Sequence, residues 1–163
     1  MELKKELLEI LGRDARATVA DMAVMVGASA EEVQAAIAEL ERDRVIIQYN
    51  TVIDWNKMGS EAVQALIEVK VTPQRGKGFD DIARRIYGFQ EVHSVYLMSG
   101  AYDLMVLVDG NSMREVAFFV AEKLSTIDGV LSTATHFVLK KYKDNGVVVD
   151  DEENGDDRLA VSP

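Results

Sequence analysis

Apolar residues recur along this chain with two periods, and the change from one to the other divides it. From Leu3 to Leu11 they fall at Leu3, Leu7, Leu8, Ile10 and Leu11, the spacing that lays one stripe along a helix, and Gly12 ends the run. Thr18-Val19-Ala20-Asp21 has the form of a capping box and leads into Met22, Ala23, Met25 and Val26 before Gly27, which predicts a short second helix. Ser29-Ala30-Glu31-Glu32 is a better capping box, and Val33, Ala36, Ile37 and Leu40 behind it share one helical face out to about Arg42. Two short helices joined by a tight Gly-containing turn and braced by another helix are the sequence form of a helix-turn-helix. Val45-Ile46-Ile47 and the run from Tyr49 to Ile53 are β-prone stretches around Gln48, and predict a small hairpin, or wing, beside the third helix.

After the polar, Gly-terminated break Asp54-Trp55-Asn56-Lys57-Met58-Gly59 the period drops to two. Val63, Ala65, Ile67, Val69 and Val71 alternate as one face of a strand, which Pro73, Gly76 and Gly78 close. Phe79, Ile82, Ala83, Ile86 and Tyr87 return to a helical period ending at Gly88. Val92 to Met98 and Tyr102 to Val108 predict two strands joined by a Ser99-Gly100-Ala101 turn. A helix carrying Val116, Phe119, Val120 and Leu124, capped by Asn111 or Ser112, precedes a last strand from about Leu131 to Tyr142. The order β-α-β-β-α-β is the split βαβ, ferredoxin-like unit. The predicted class is therefore α+β: a winged helix-turn-helix over residues 1–54, a linker over 55–61, a ferredoxin-like domain over 62–143 and a tail over 144–163.

Composition narrows the chemistry. The 163 residues include no Cys, so disulfides and thiolate sites are excluded, and the reducing cytoplasm is the expected compartment. Met1-Glu2-Leu3-Lys4-Lys5-Glu6 opens an amphipathic helix and not a signal peptide, and no apolar run is long enough to predict a membrane span. His93 and His136, the two histidines, lie far apart on different predicted strands without a ligand pattern, so no metal is expected. Gly76-Lys77-Gly78 lacks the ending of a phosphate loop, and no nucleophile–base pair emerges. Neither an enzyme nor a cofactor is expected. A single-faced βαββαβ sheet leaves an apolar face to cover, which predicts homo-oligomerisation.

Net charge is −10, and its distribution matters more than its size. The tail carries seven acids against Arg158 and supplies −6; residues 61–143 carry ten of each sign; residues 1–60 hold eleven acids and seven bases, so the helix-turn-helix segment is itself at −4. Phosphate neutralisation dominates affinity for nucleic acid, so an acidic reader is unusual. Lys4, Lys5, Arg13, Arg16, Arg42 and Lys57 are the bases able to hold a DNA backbone, and Ser29 and Gln34 are the polar candidates for base contact.

Particular runs resemble the Lrp/AsnC, or feast/famine, transcriptional regulators over about residues 3–143. Leu8-Glu9-Ile10-Leu11-Gly12-Arg13-Asp14-Ala15-Arg16 is similar to the end of that family's first helix, and Val26-Gly27-Ala28-Ser29 to its turn. Met98-Ser99-Gly100-Ala101-Tyr102-Asp103-Leu104 is similar to its Thr/Ser-Gly-x-Tyr-Asp-Leu hairpin. The resemblance implies a C-terminal domain of the RAM/AsnC type and a homodimer, or an octamer. It also implies double-stranded DNA as one partner and a small effector, an amino acid or a relative of one, as the other. It puts DNA contact at Arg16, Ser29, Gln34, Arg42 and Arg44. It puts the effector at Ser99, Gly100, Ala101, Tyr102 and Asp103, with the Thr133 and Thr135 hydroxyls added; in the bland alternative Gly100 permits the turn, Asp103 holds its backbone and the threonines are strand formers. The family's recognition helix usually carries bases where this chain has Ala35, Ala36 and Glu39, and Arg44 stands in place of its usual Gly. Two other readings follow: an oligomeric effector sensor that has lost DNA reading, or, because sirohaem decarboxylases share this architecture and His93 is near the hairpin, a tetrapyrrole enzyme. The intact Ser-Gly-Ala-Tyr-Asp-Leu turn points to the regulator.

Overall fold

The computed structural model describes residues 2–60, 62–72 and 78–149. Pro73, Gly76 and Lys77, and every tail residue beyond Val149, lie outside them. The chain divides into two compact units between Ile53 and Asp54.

In the first unit three helices enclose one small core. α1 is Glu2–Arg13, α2 Val19–Val26 and α3 Ala30–Arg42. Leu7, Met22, Ala23, Val33 and Ala36 are buried together, with Leu3, Ile10, Leu11 and Ile37 packed around them. The α2–α3 turn is short because both ends are capped. Gly27 takes a left-handed φ of 67° at the end of α2, where the Ala28 N–H donates to the Ala23 carbonyl at 3.1 Å. Ser29 then caps α3 reciprocally: its Oγ accepts the Glu32 N–H at 3.2 Å, and Glu32 Oε2 accepts the Ser29 N–H at 2.9 Å.

α3 ends in a Schellman motif, with the Val45 N–H donating to the Leu40 carbonyl and the Arg44 N–H to that of Glu41. Its left-handed residue is Arg44, at φ 55°, so the missing Gly is replaced by a side chain in a conformation that crowds its Cβ. The predicted wing is not formed. Residues 46–54 carry no strand, and Val45, Ile47, Tyr49, Val52 and Ile53 are exposed. Two short β-prone runs with no apolar surface to lie on do not hold a hairpin. Asp54–Gly59 contains a single 3-10 turn, Trp55–Met58, capped by the Asp54 carboxylate.

The second unit is the expected βαββαβ sheet. β1 is Val63–Val71, α4 Gly78–Tyr87, β2 Val92–Leu97, β3 Leu104–Gly110, α5 Met113–Phe119 and β4 Val130–Phe137; Val120–Leu124 continues α5 as a wider π-helical turn. Strand order is β2-β3-β1-β4, antiparallel throughout. On one face Ala65, Ile67, Val69, Leu104, Val106 and Val108 are buried against Ile82 and Ile86 of α4 and Val116 and Phe119 of α5. Among the described residues of this unit no helix packs on the other face, where Leu66, Glu68, Met105 and Leu107 are half-buried. β4 stops at Phe137 and does not reach Tyr142; just past its end the Val138 N–H donates to the Gln64 carbonyl at 2.8 Å. Leu139 and Tyr142 are left exposed. A small hairpin follows, β5 Lys143–Asp144 and β6 Val147–Val148, turned by Asn145 and Gly146 at positive φ.

Candidate functional site

At 100° per residue, Glu31, Ala35, Ala38 and Arg42 run along the middle of the exposed face of α3. Gln34 and Glu41 lie on one flank, and Glu32 and Glu39 on the other. Ala36, counted above among the usual basic positions, is buried at 7% exposure and belongs to the core face. The four acids of this helix are largely engaged. Glu32 is locked in the capping box, and the Ser29 N–H holds its carboxyl below the usual glutamate range. Glu39 Oε2 lies 2.5 Å from Lys4 Nζ of α1, and that bond holds its carboxyl low as well. Glu41 Oε1 accepts the Tyr49 hydroxyl at 2.8 Å; burial, and then this carboxylate, push the phenol up.

The five residues assigned to DNA contact are all exposed. Ser29 and Gln34 lie at the start of α3 and on one flank. Arg42 is exposed at its C-terminal end, where a hydrogen bond from Nε to Asp43 Oδ1 at 3.0 Å pushes the guanidinium up. Arg44 is one residue past the cap, and Arg16 lies in the α1–α2 turn, its N–H donating to Asp14 Oδ1. Ser29 accepts from Glu32, so its hydroxyl proton is what it can offer a nucleic acid.

The loop joining β2 to β3 runs from Met98 to Asp103, longer than the predicted turn. It is closed by the Met98 N–H donating to the Asp103 carbonyl at 2.8 Å. Ser99, Gly100 and Ala101 are exposed, and Tyr102 and Asp103 half-buried. Asp103 is held by β1 as well as by its own turn: its N–H donates to the Val69 carbonyl at 3.1 Å, and its Oδ2 accepts the Val71 N–H at 2.8 Å. That bond continues the β1–β3 ladder one residue past the last backbone pair.

Thr133 and Thr135 do not join this loop within one chain. They sit opposite Val69 and Ile67 on β4, with β1 between them and β3, so roughly two strand spacings, about 10 Å, separate them from the loop's root. Both lie on the helix-covered face, and Thr133 Oγ1 is 3.4 Å from Ser125 Oγ. His93 is at a β2 irregularity, at the opposite end of that strand from the loop, with Nδ1 3.6 Å from Asp109 Oδ2. His136 Nε2 is 3.3 Å from Glu68 Oε1 on the uncovered face. The histidines therefore occupy the two edge strands, and among the described residues no group of at least three His, Asp or Glu could hold a metal. No described helix is long and apolar enough to cross a membrane. Sequence reasoning missed the Lys4–Glu39 and Asp103–Val71 contacts, since both join residues more than thirty positions apart.

A helix-turn-helix unit followed by a split βαβ domain with a Ser-Gly-Ala-Tyr-Asp-Leu loop defines a helix-turn-helix regulator carrying a sensor domain, and comparison with known proteins agrees. The AsnC-type helix-turn-helix domain model matches residues 2–41, and that of the Lrp/AsnC ligand binding domain residues 64–148. YugG of Bacillus subtilis strain 168, an uncharacterized HTH-type transcriptional regulator, is 56% identical over 99% of this chain and 98% of its own length. The proline dehydrogenase transcriptional activator of Rhizobium radiobacter is 26% identical over 87% of this chain and 90% of its own. Among solved structures, a transcriptional regulator of Neisseria meningitidis in complex with L-Met superposes with a TM-score of 0.74 at 22% identity, covering 91% of this chain and 95% of that one. A feast or famine regulatory protein of Mycobacterium tuberculosis complexed with L-methionine gives 0.73 at 24% identity, covering 88% and 94%. The chain belongs to the Lrp/AsnC family of HTH-type transcriptional regulators.

Proposed function

We propose that this chain is a cytoplasmic homo-oligomeric regulator that binds double-stranded DNA through α3 and whose DNA affinity is set by an amino acid held at the Ser99–Asp103 loop. The observation that carries the reading is the rigidly capped α2–α3 turn, with Gly27 at φ 67° and the reciprocal Ser29–Glu32 box, which fixes Gln34 and Arg42 on one presented helix. The Lys4–Glu39 ion pair favours DNA reading over a sensor that has lost it, because it offsets one of the four acidic charges of α3. Arg16 and Arg44 serve as backbone contacts and Ser29 and Gln34 as base contacts.

The loop supports an amino-acid site by its chemistry. Backbone N–H groups of the Ser99–Tyr102 turn suit a carboxylate, and Asp103 suits an ammonium. Two structural relatives were solved with L-methionine, which makes that amino acid the first effector to test. Thr133 and Thr135, on the helix-covered face of β4, lie outside such a site within one chain. The uncovered face, where Tyr96 is 50% exposed, supports a homodimer made sheet to sheet, with dimers building up to an octamer. Fluorescence anisotropy with the protein's own upstream DNA tests the reading. Saturable, salt-sensitive binding whose midpoint moves with an added amino acid is expected, and no saturable binding at low salt, with or without amino acids, refutes it.

A further inference from the structure

We propose that Lys4 is a positioning residue for DNA binding: it acts from α1 as the counter-ion of Glu39 on the recognition helix and does not touch DNA itself. This rests on the DNA-binding reading above and names what makes an acidic α3 compatible with phosphate. Residues 1–60 carry a net charge of −4, and α3 alone holds Glu31, Glu32, Glu39 and Glu41 against Arg42. Each charge facing the phosphates changes affinity through long-range Coulomb interaction and counter-ion release, so bare carboxylates there weaken binding.

Glu39 lies on the α3 flank that faces α1. There Lys4 Nζ reaches Oε2 at 2.5 Å, with the two side chains 38% and 48% exposed. The pair therefore stays within reach of a DNA field while α1 and α3 keep it together. Lys4 is one helical turn before Leu7, which is wholly buried in the core, so the ammonium is presented from a fixed base. The arrangement cancels one charge on the reading helix without placing a base on it. Arg42, by contrast, is a base on α3 itself, exposed at the helix end with its Nε bonded to Asp43 Oδ1 at 3.0 Å.

Charge accounting gives the test, carried out on the full-length protein with its own upstream DNA. Lys4→Met leaves Glu39 bare and is expected to weaken binding about fivefold per protomer, while Glu39→Gln leaves an extra cation and tightens it by a similar factor. The double variant restores the wild-type sum, so its affinity is expected within about twofold of wild type with an unchanged salt slope. Lys4→Arg keeps the pair and is expected to bind as wild type. If Lys4 instead contacts a phosphate, the double variant stays as weak as Lys4→Met and its log–log salt slope falls by about 0.9, which overturns the inference. Circular dichroism and thermal melting of each variant separate this from loss of fold, since a solvent-screened pair contributes little to stability. Absence of saturable binding by the unmodified protein would overturn the DNA-binding reading together with this inference, and is distinguishable from failure of the double variant alone.

Discussion

Asp103 has a structural duty and a proposed ligand duty, and two substitutions separate them. Its Oδ2 accepts the Val71 N–H at 2.8 Å, and Val71 is only 5% exposed, so Asp103→Ala leaves a backbone donor without a partner and with little water to replace it. A hydrogen bond to a charged acceptor contributes about 1.5–3 kcal/mol, and an orphaned buried donor costs about 1–3 kcal/mol, so a loss near 2 kcal/mol is expected. With a urea dependence of about 2 kcal/mol per molar for a domain of this size, the midpoint should fall by about 1 M, read by far-ultraviolet circular dichroism at fixed protein concentration. Asp103→Asn keeps an oxygen for Val71 and removes the charge, so its midpoint should stay within about 0.5 M. The amide no longer provides an anionic acceptor for an ammonium, so the response of DNA binding to the amino acid should disappear in that variant. If Asp103→Ala melts with the parent, the bond to β1 contributes nothing and the reasoning fails. If Asp103→Asn keeps its full effector response, the carboxylate is only structural.

Arg44→Gly should stabilise the end of α3 by about 0.5–1 kcal/mol, because it removes a left-handed strain of about 1–2 kcal/mol and adds the smaller entropic cost of Gly; slower hydrogen exchange at the Val45 amide would register it. Gly110→Ala puts a Cβ 2.8 Å from Val116 Cγ2 at the edge of the sheet core, and should cost about 1–3 kcal/mol by urea unfolding. Glu32 and Glu39 have folded-state values lowered by Ser29 and Lys4, so their contribution is complete above the ordinary glutamate value of about 4.3 and is lost as pH falls through the lowered folded values. The acid limb of the stability–pH curve should therefore flatten in the Glu32→Gln, Glu39→Gln double variant; an unchanged limb would contradict the assignment.

Both helical caps of the reading unit and the whole βαββαβ order were legible because their causes are local. The Ser29–Glu32 box spans three residues, and the alternation of Val63 to Val71 declares which side of β1 is buried. The wing and the far end of β4 misled because Tyr49 to Ile53 and Val138 to Tyr142 have β-prone composition without a partner strand, and pairing is not a property of a single segment. Asn145-Gly146 was a readable hairpin signal that the acidic character of the tail obscured. At the candidate site, the Ser-Gly-Ala-Tyr-Asp-Leu string could be read but not its anchorage. The Asp103 bond to Val71 spans thirty-two positions and depends on β3 lying beside β1. The same limit applies to α3, whose acid count was plain but whose counter-ion came from the opposite end of the unit.

The central claim, a DNA-binding regulator tuned by an amino acid, is tested most directly by titrating the full-length protein onto its own upstream DNA at two salt concentrations, with and without L-methionine and the other amino acids in turn. The account predicts saturable binding that weakens steeply with salt and shifts for at least one amino acid, with the shift abolished by Asp103→Asn. Binding that never saturates, or that saturates but responds to no amino acid, would contradict it.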